Sequence, residues 1–414
     1  MPKYAVKRIG AQCARLLFFC TNFRKFPGTY AKTGKSSHIA TIEKRKRGLK
    51  PLNKKEVLEI KKQLNTVRCC LTHIAGCYVN SEREIVSTFR KRFLSLEDEE
   101  MLKFFQLFQK TLSGTIGKSL LTLDYSAPCP EQEGMRSLLQ SRLEPGEALD
   151  NFYRKVADSY QGEGNYYIVL VHGAYDIPGR TADGQEMEDA SEEVYDHLIG
   201  MICPVNLDKP SLVYNAKTQD VENKERDWVL GNPDCGFLYP AFTDRRRDAN
   251  ALLYYTRRPD ILEEALIREV FGTGLPDTAG KQKEAFLTAA DASGLTFENA
   301  VALKEELALR EESEESLTLD RPERDGLCRQ FGLRTEDLED AMAHSQVSAL
   351  FAPNLFDKNK TVISTDHITI RVPSDLTGLV EIRKVDGVDC LVVRPDGRVR
   401  LDGIPVKTDG EVAE

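Results

Sequence analysis

The run Asn165-Tyr166-Tyr167-Ile168-Val169-Leu170-Val171-His172 carries apolar or aromatic side chains at successive positions, without the polar alternation of a half-solvated strand. Successive β-strand side chains point to opposite faces, so this segment predicts a strand buried on both sides within a sheet covered above and below. A chain of 414 residues with 41% hydrophobic composition has the material for such a core. Its length suggests roughly two to three domains.

Charge divides the chain unevenly. Residues 1–51 carry thirteen Lys or Arg against the single acid Glu43, which leaves 44 basic and 64 acidic residues, a net −20, over 52–414. Basic surplus in one segment and acidic surplus in the rest do not form one electrostatic design, so an argument for nucleic-acid binding rests almost wholly on residues 1–51, although an acidic body can still hold a local basic groove. The apolar stretch Ala14-Arg15-Leu16-Leu17-Phe18-Phe19 is too short for a secretory signal and carries an Arg. An organellar transit peptide, a basic arm that folds on nucleic acid and a disordered or non-native extension remain as readings. Regular amphipathic pattern begins at Leu52-Asn53-Lys54-Lys55-Glu56, and a leucine there is what an alternative start codon looks like when read as internal sequence.

No apolar run approaches the roughly 18 residues of a membrane span. The ten cysteines are scattered without the density of a secreted disulfide scaffold, which points to a reducing cytoplasm.

Helical spacing of Val57, Leu58, Ile60 and Leu64 predicts a first helix, followed by a strand over Cys70 to Val79. Two helices are expected next, over Glu82 to Phe93 and Leu96 to Leu112, the second opened by a capping box of Ser95 and Asp98. Residues 131–160 continue as helix. After the buried run ending at His172, strands are expected at Leu198 to Val205, Ser211 to Tyr214, Phe237 to Phe242 and Ala251 to Thr256, with Ser191 to Leu198 a candidate helix leading into its strand. Residues 260–350 have helical pattern. Beyond Thr361 the alternation of Ile368 to Val372 and the Asp-Gly pairs at Asp386 and Asp396 predict strands joined by tight hairpins. The fold class expected is α+β. A mixed or antiparallel sheet core with flanking helices spans 52–258, a helical section 259–350 and a small β-rich unit 351–405, with a tail over 406–414.

Several strings here resemble one family: Asn53-Lys54-Lys55-Glu56, Gly76-Cys77-Tyr78-Val79, Thr111 to Lys118, Asp189 to Asp196, Ile202 to Leu207 and Leu253-Tyr254-Tyr255-Thr256. Together they are similar to a bacterial domain-of-unknown-function family, number four-three-one-seven, over about residues 52 to 405. The resemblance implies no reaction, cofactor or catalytic residue. It does imply a start at the position of Leu52, which strengthens the alternative-start reading.

Chemical motifs are incomplete. Gly114-Thr115-Ile116-Gly117-Lys118-Ser119 ends like a phosphate-binding loop, but position 112 is Leu where the motif needs Gly, and a helix precedes it where a strand is required. Cys69, Cys70, His73 and Cys77 are soft ligands, yet on a strand Cys69, His73 and Cys77 fall about 13 Å apart, too far for one zinc ion. Neither a Gly-x-Ser-x-Gly elbow nor a His-Glu-x-x-His helix is present.

Two constellations remain. His172 and Asp176 at the end of the buried strand are candidate catalytic groups, and Asp183 and Glu186 in the following acidic loop are candidate metal ligands. Arg245, Arg246 and Arg247 are candidates for holding an anion. The leading expectation is a cytoplasmic binding or assembly protein without its own chemistry, with a protein partner or self-association. A metal-dependent hydrolase or phosphoryl-processing enzyme is the alternative. Nucleic-acid binding through residues 1–51 comes third. No cofactor can be named and no membrane is involved.

Overall fold

A computed structural model describes residues 54–180, 186–312 and 317–407. The basic segment 1–51 and Asp183 lie outside the described residues. The chain from Pro51 onward forms one unit.

Its centre is an eight-stranded sheet in the order β2-β1-β4-β5-β9-β12-β3, with β8 paired to β5. These strands are β1 (Leu71–Val79), β2 (Ile85–Arg92), β3 (Leu120–Asp124), β4 (Asn165–Arg180), β5 (Glu186–Leu207), β8 (Trp228–Leu230), β9 (Cys235–Tyr239) and β12 (Ala251–Thr256). Every pairing between them is antiparallel, which settles the open choice between a mixed and an antiparallel sheet. The run read as doubly buried lies in β4: Ile168 and Leu170 enter one apolar cluster, Val169 and Val171 the other. One face is covered by α3 (Pro130–Gln140), α4 (Glu147–Ser159) and the helical turns over Glu264–Leu266 and Ile267–Phe271. The opposite face receives α1 (Lys54–Lys61) and α2 (Asp98–Thr111). A third cluster joins α5 (Ala279–Ser293), α6 (Phe297–Glu312), α7 (Arg321–Phe331) and α8 (Thr335–His344).

The sheet departs from the sequence expectations in several places. The span Glu82 to Phe93 is not a helix: it holds a turn and then β2, Ile85–Arg92. Ile85, Val86, Phe89 and Phe93 fit helical spacing, but β1 is largely buried and needs a hydrogen-bonding neighbour on the side away from β4. A tight turn supplies it, with Asn80 Oδ1 accepting the backbone N–H groups of Glu82 and Glu84 at 3.0 and 2.8 Å. The capping box is also absent. Ser95 closes a 3-10 turn by donating to the Arg92 carbonyl at 2.7 Å, and α2 is entered through Glu97 with Asp98, Glu99 and Glu100 in its first turn.

Ser191 to Leu198 is strand as well. It belongs to β5, which pairs with β4 along most of its length, so β4 and β5 make one long hairpin. His172 is therefore interior to β4, which runs on to Arg180. Phe237 to Phe242 is split at Pro240 into β9 and the short β10 (Ala241–Thr243), which pairs with β11 (Arg246–Asp248).

In the carboxyl-terminal part, β13 (Val380–Val385) and β14 (Val388–Val393) are joined by Asp386-Gly387 with φ of 53° and 84°, the two positive dihedrals a tight hairpin needs. Among the described residues no strand pair closes on Asp396-Gly397. The second hairpin turns instead at Asp402-Gly403, φ 48° and 86°, between β15 (Arg400–Leu401) and β16 (Ile404–Pro405).

Candidate functional site

His172 faces the α3 and α4 side of the sheet, opposite His73 on β1 and Leu198 on β5. Its ring is buried, with Nδ1 2.7 Å from Thr72 Oγ1. The Thr72 hydroxyl also lies within reach of the His172 carbonyl, to which it can donate at 3.3 Å. Nε2 lies 3.8 Å from Asp196 Oδ1, beyond hydrogen-bond reach, and neither atom has another partner within the described protein. Burial pushes the imidazole down to about 4 despite the opposing pull of Asp196, so it is neutral at neutral pH. Thr72, His172 and Asp196 have the residue types of a nucleophile, base and acid relay. The ring is 1% exposed and lies out of hydrogen-bond range of its acid.

The neighbouring His197 lies on the other face. It stacks on Tyr195 with ring centroids 4.8 Å apart and an interplanar angle of 13°, and it too is pushed down to about 4 by burial. Asp176 is exposed on β4 opposite Val194. Glu186 opens β5, its backbone paired with Arg180. Among the described residues no group of three or more His, Cys, Asp or Glu is placed to hold a metal ion.

The three arginines do not converge. Arg245 Nε donates to both oxygens of Glu59 at 3.1 and 3.2 Å, and its terminal nitrogen donates to the Pro178 carbonyl at 3.0 Å. Tyr175 adds a hydroxyl donor to the same Glu59 at 3.1 Å, so this cluster ties α1 to β4. Arg246 and Arg247 are successive exposed residues of β11 and point to opposite faces. The segment Gly114 to Ser119 leads from the end of α2 into β3, and its Gly117 carbonyl accepts a bond from the Asn354 side chain at 2.9 Å.

A different place has the form of a binding site. On the sheet face that carries α2, a groove of about 530 Å³ crosses β2, β1, β4, β5 and β8. Its floor is aromatic: Phe89 of β2, Tyr78 of β1 and Tyr167 of β4, with Tyr167 6.0 Å by ring centroid from each of the other two. These rings lie close to the sheet because Gly76 is between them. A Cβ at that position would come within 2.2 Å of Phe89 and 2.6 Å of Tyr167. Val205 and Leu230 continue the floor, and Trp228, 59% exposed, closes the far end. Phe104 and Glu100 of α2 form the wall, and Lys91 lies beside Phe89 with its ammonium 6.0 Å from the ring centroid.

Beyond Trp228 the β5–β8 ladder continues through an Asp208 to Asp227 backbone bond into a hairpin of β6 (Leu212–Asn215) and β7 (Asp220–Asn223). Leu212, Tyr214 and Val221 share one face of this arm and are 57–68% exposed. A two-stranded hairpin with an apolar face in water is marginal alone, and contiguous exposed apolar surface marks an interaction site. Sequence reasoning missed this site because its residues come from six elements. The one local signal was Trp228, the single tryptophan of the chain, placed in the polar stretch Lys224-Glu225-Arg226-Asp227.

Among the described residues no helix is long and apolar enough to cross a membrane. No curated protein and no solved structure matches the chain. A family does match, across all the strands that build the groove: over residues 52–404 the chain belongs to the family described as Domain of unknown function (DUF4317).

Proposed function

We propose that the chain is a cytoplasmic binding or assembly protein, without chemistry of its own, that seats a partner polypeptide in the aromatic groove. The carrying observation is the groove itself: about 530 Å³, floored by Phe89, Tyr78 and Tyr167 and ended by a half-exposed tryptophan. Sites that bind by burial are concave and mostly apolar with a few polar groups for orientation, and Lys91 and Glu100 are such groups here. Aromatic side chains at a binding surface supply large contact area at low entropic cost. The arm beyond Trp228 enlarges the apolar surface past what a small ligand uses, which favours a polypeptide. A cytoplasmic setting is supported by the eight described cysteines, all free thiols. The hydrolytic or phosphoryl-processing alternative draws less support, since His172 is buried and Arg245 is engaged by Glu59.

The test is selection of displayed polypeptides on the full-length protein, followed by calorimetry on Trp228→Ala and Tyr78→Ala with folding checked by thermal melting. Truncating a central aromatic contact costs about 2 kcal/mol or more, so binding is expected to weaken at least about tenfold in each variant. Binders that ignore both substitutions would overturn the proposal.

A further inference from the structure

We infer that the groove's occupant is an amphipathic α-helix of three to four turns, contributed by a partner protein, lying on the sheet alongside α2. This rests on the proposed function and names the form of the partner.

The two sheet faces are unequally covered. On the first, α3, α4 and the helical turns of 264–271 bury the strands from β1 across to β12. On the second, α2 packs against β5 and β9, leaving Tyr78 and Tyr167 half-buried beside it and Trp228 exposed. A sheet face is ordinarily buried by a helix layer. The uncovered strip crosses five strands, or about 19 Å at roughly 4.8 Å per strand step. At 1.5 Å per residue that is the length of a helix of about 13 residues. The side of α2 that borders the strip presents Glu100, Phe104 and Leu107, at the i, i+4, i+7 spacing that a neighbouring helix packs against.

An added strand fits less well. It would pair with the free edge of β2 and run along the strands, at right angles to the groove, meeting it only at Phe89 and Lys91. That edge ends in Arg90-Lys91-Arg92, and a run of charge on an edge strand opposes pairing.

Charge fixes the chemistry of the helix. Lys91 is exposed, and Glu100, in the first turn of α2, lines the same groove. The helix is apolar on the face toward Tyr167 and Trp228. At its β2 end it carries an acid against Lys91, and on the edge toward α2 a base against Glu100.

The experiment uses the full-length protein and two libraries of 14-residue peptides with the same apolar and charged composition. One library is helix-biased and the other is interrupted by a central proline. Binding is read through Trp228 fluorescence and confirmed on Tyr167→Ser and Lys91→Glu. The expected result is binders from the helix-biased library alone, weakened at least about tenfold by Tyr167→Ser or by a central proline. Lys91→Glu is expected to weaken binders that carry an acid at that end and to strengthen those in which it is changed to Lys. Groove-dependent binders that tolerate the proline would overturn the helix while leaving the binding function intact. Failure of both libraries to give groove-dependent binders would overturn both, and concentration-dependent self-association abolished by Tyr167→Ser would replace the partner with a second copy of this chain.

Discussion

Gly173 of β4 faces His197 of β5 across the ladder, and the histidine ring occupies the space that a side chain at Gly173 would need. A Cβ there would lie 2.6 Å from both Cε1 and Nε2 of the imidazole and 3.2 Å from Leu71. His197 cannot easily retreat, because its other side is stacked on Tyr195, whose hydroxyl donates to the Pro240 carbonyl. Gly173→Ala is therefore expected to destabilise the protein by about 1–3 kcal/mol through overpacking. The double variant Gly173→Ala with His197→Ala should recover part of that loss relative to the sum of the single changes. Urea unfolding of the four proteins checks it, and strict additivity would show that the two positions do not meet.

Stability is expected to fall as the solution is acidified from neutral pH. Both His172 and His197 are held near 4 by burial, against an ordinary value of 6.5. Between these limits the unfolded chain takes up protons that the folded chain refuses, so acid favours unfolding. The stabilising contribution is complete above about pH 6.5 and is lost as pH falls toward 4. From about pH 7.5 to about pH 5, where most carboxylates remain ionised, linkage gives on the order of 2 kcal/mol per histidine. His197→Asn should flatten the dependence of the urea midpoint over this interval, and an unchanged slope would remove His197 from the account.

The three adjacent arginines are expected to behave differently. Arg245 and Glu59 are 14% and 17% exposed, and their ion pair is reinforced by the Pro178 carbonyl and the Tyr175 hydroxyl. Arg245→Met leaves a largely buried carboxylate without its cation, a loss of about 2 kcal/mol. Arg246→Met, at an exposed position of β11, should stay within about 0.5 kcal/mol of the parent. Thermal melting of the two variants separates these outcomes.

What the sequence made legible follows from whether a pattern is local. Val169 and Val171 alternate with Ile168 and Leu170, so burial of both faces could be inferred from one stretch, and the α+β class with it. Residues 85–93 were misjudged because their apolar positions satisfy a helical and a strand period alike. The deciding factor was the unpaired side of β1, which no local window contains. His172 looked like a strand end because acids follow it, yet β4 continues to Arg180 and takes Asp176 with it. The groove was hidden for a further reason. Tyr166 is 2% exposed under the helices of one face while the adjacent Tyr167 helps floor the open strip on the other, and only the unequal helix cover distinguishes them.

The groove floor and its rim should separate stability from binding. At Gly76 a methyl group would collide with Phe89 and Tyr167, the rings that reach over β1 from β2 and β4. Gly76→Ala is expected to push both rings outward, cost about 1–3 kcal/mol and narrow the strip they floor. Trp228 is 59% exposed at the far end, and its emission should be that of a largely solvated indole, readily quenched by iodide. Trp228→Ala should cost no more than about 2 kcal/mol of unfolding free energy, because more than half of the residue stays exposed on folding. A polypeptide in the groove would shift the Trp228 emission to shorter wavelength and protect it from iodide, and both effects should weaken in Gly76→Ala although the tryptophan is intact. If Gly76→Ala binds as the parent does while Trp228→Ala does not, the partner contacts the arm and rim, and the aromatic floor is a structural layer with no part in recognition.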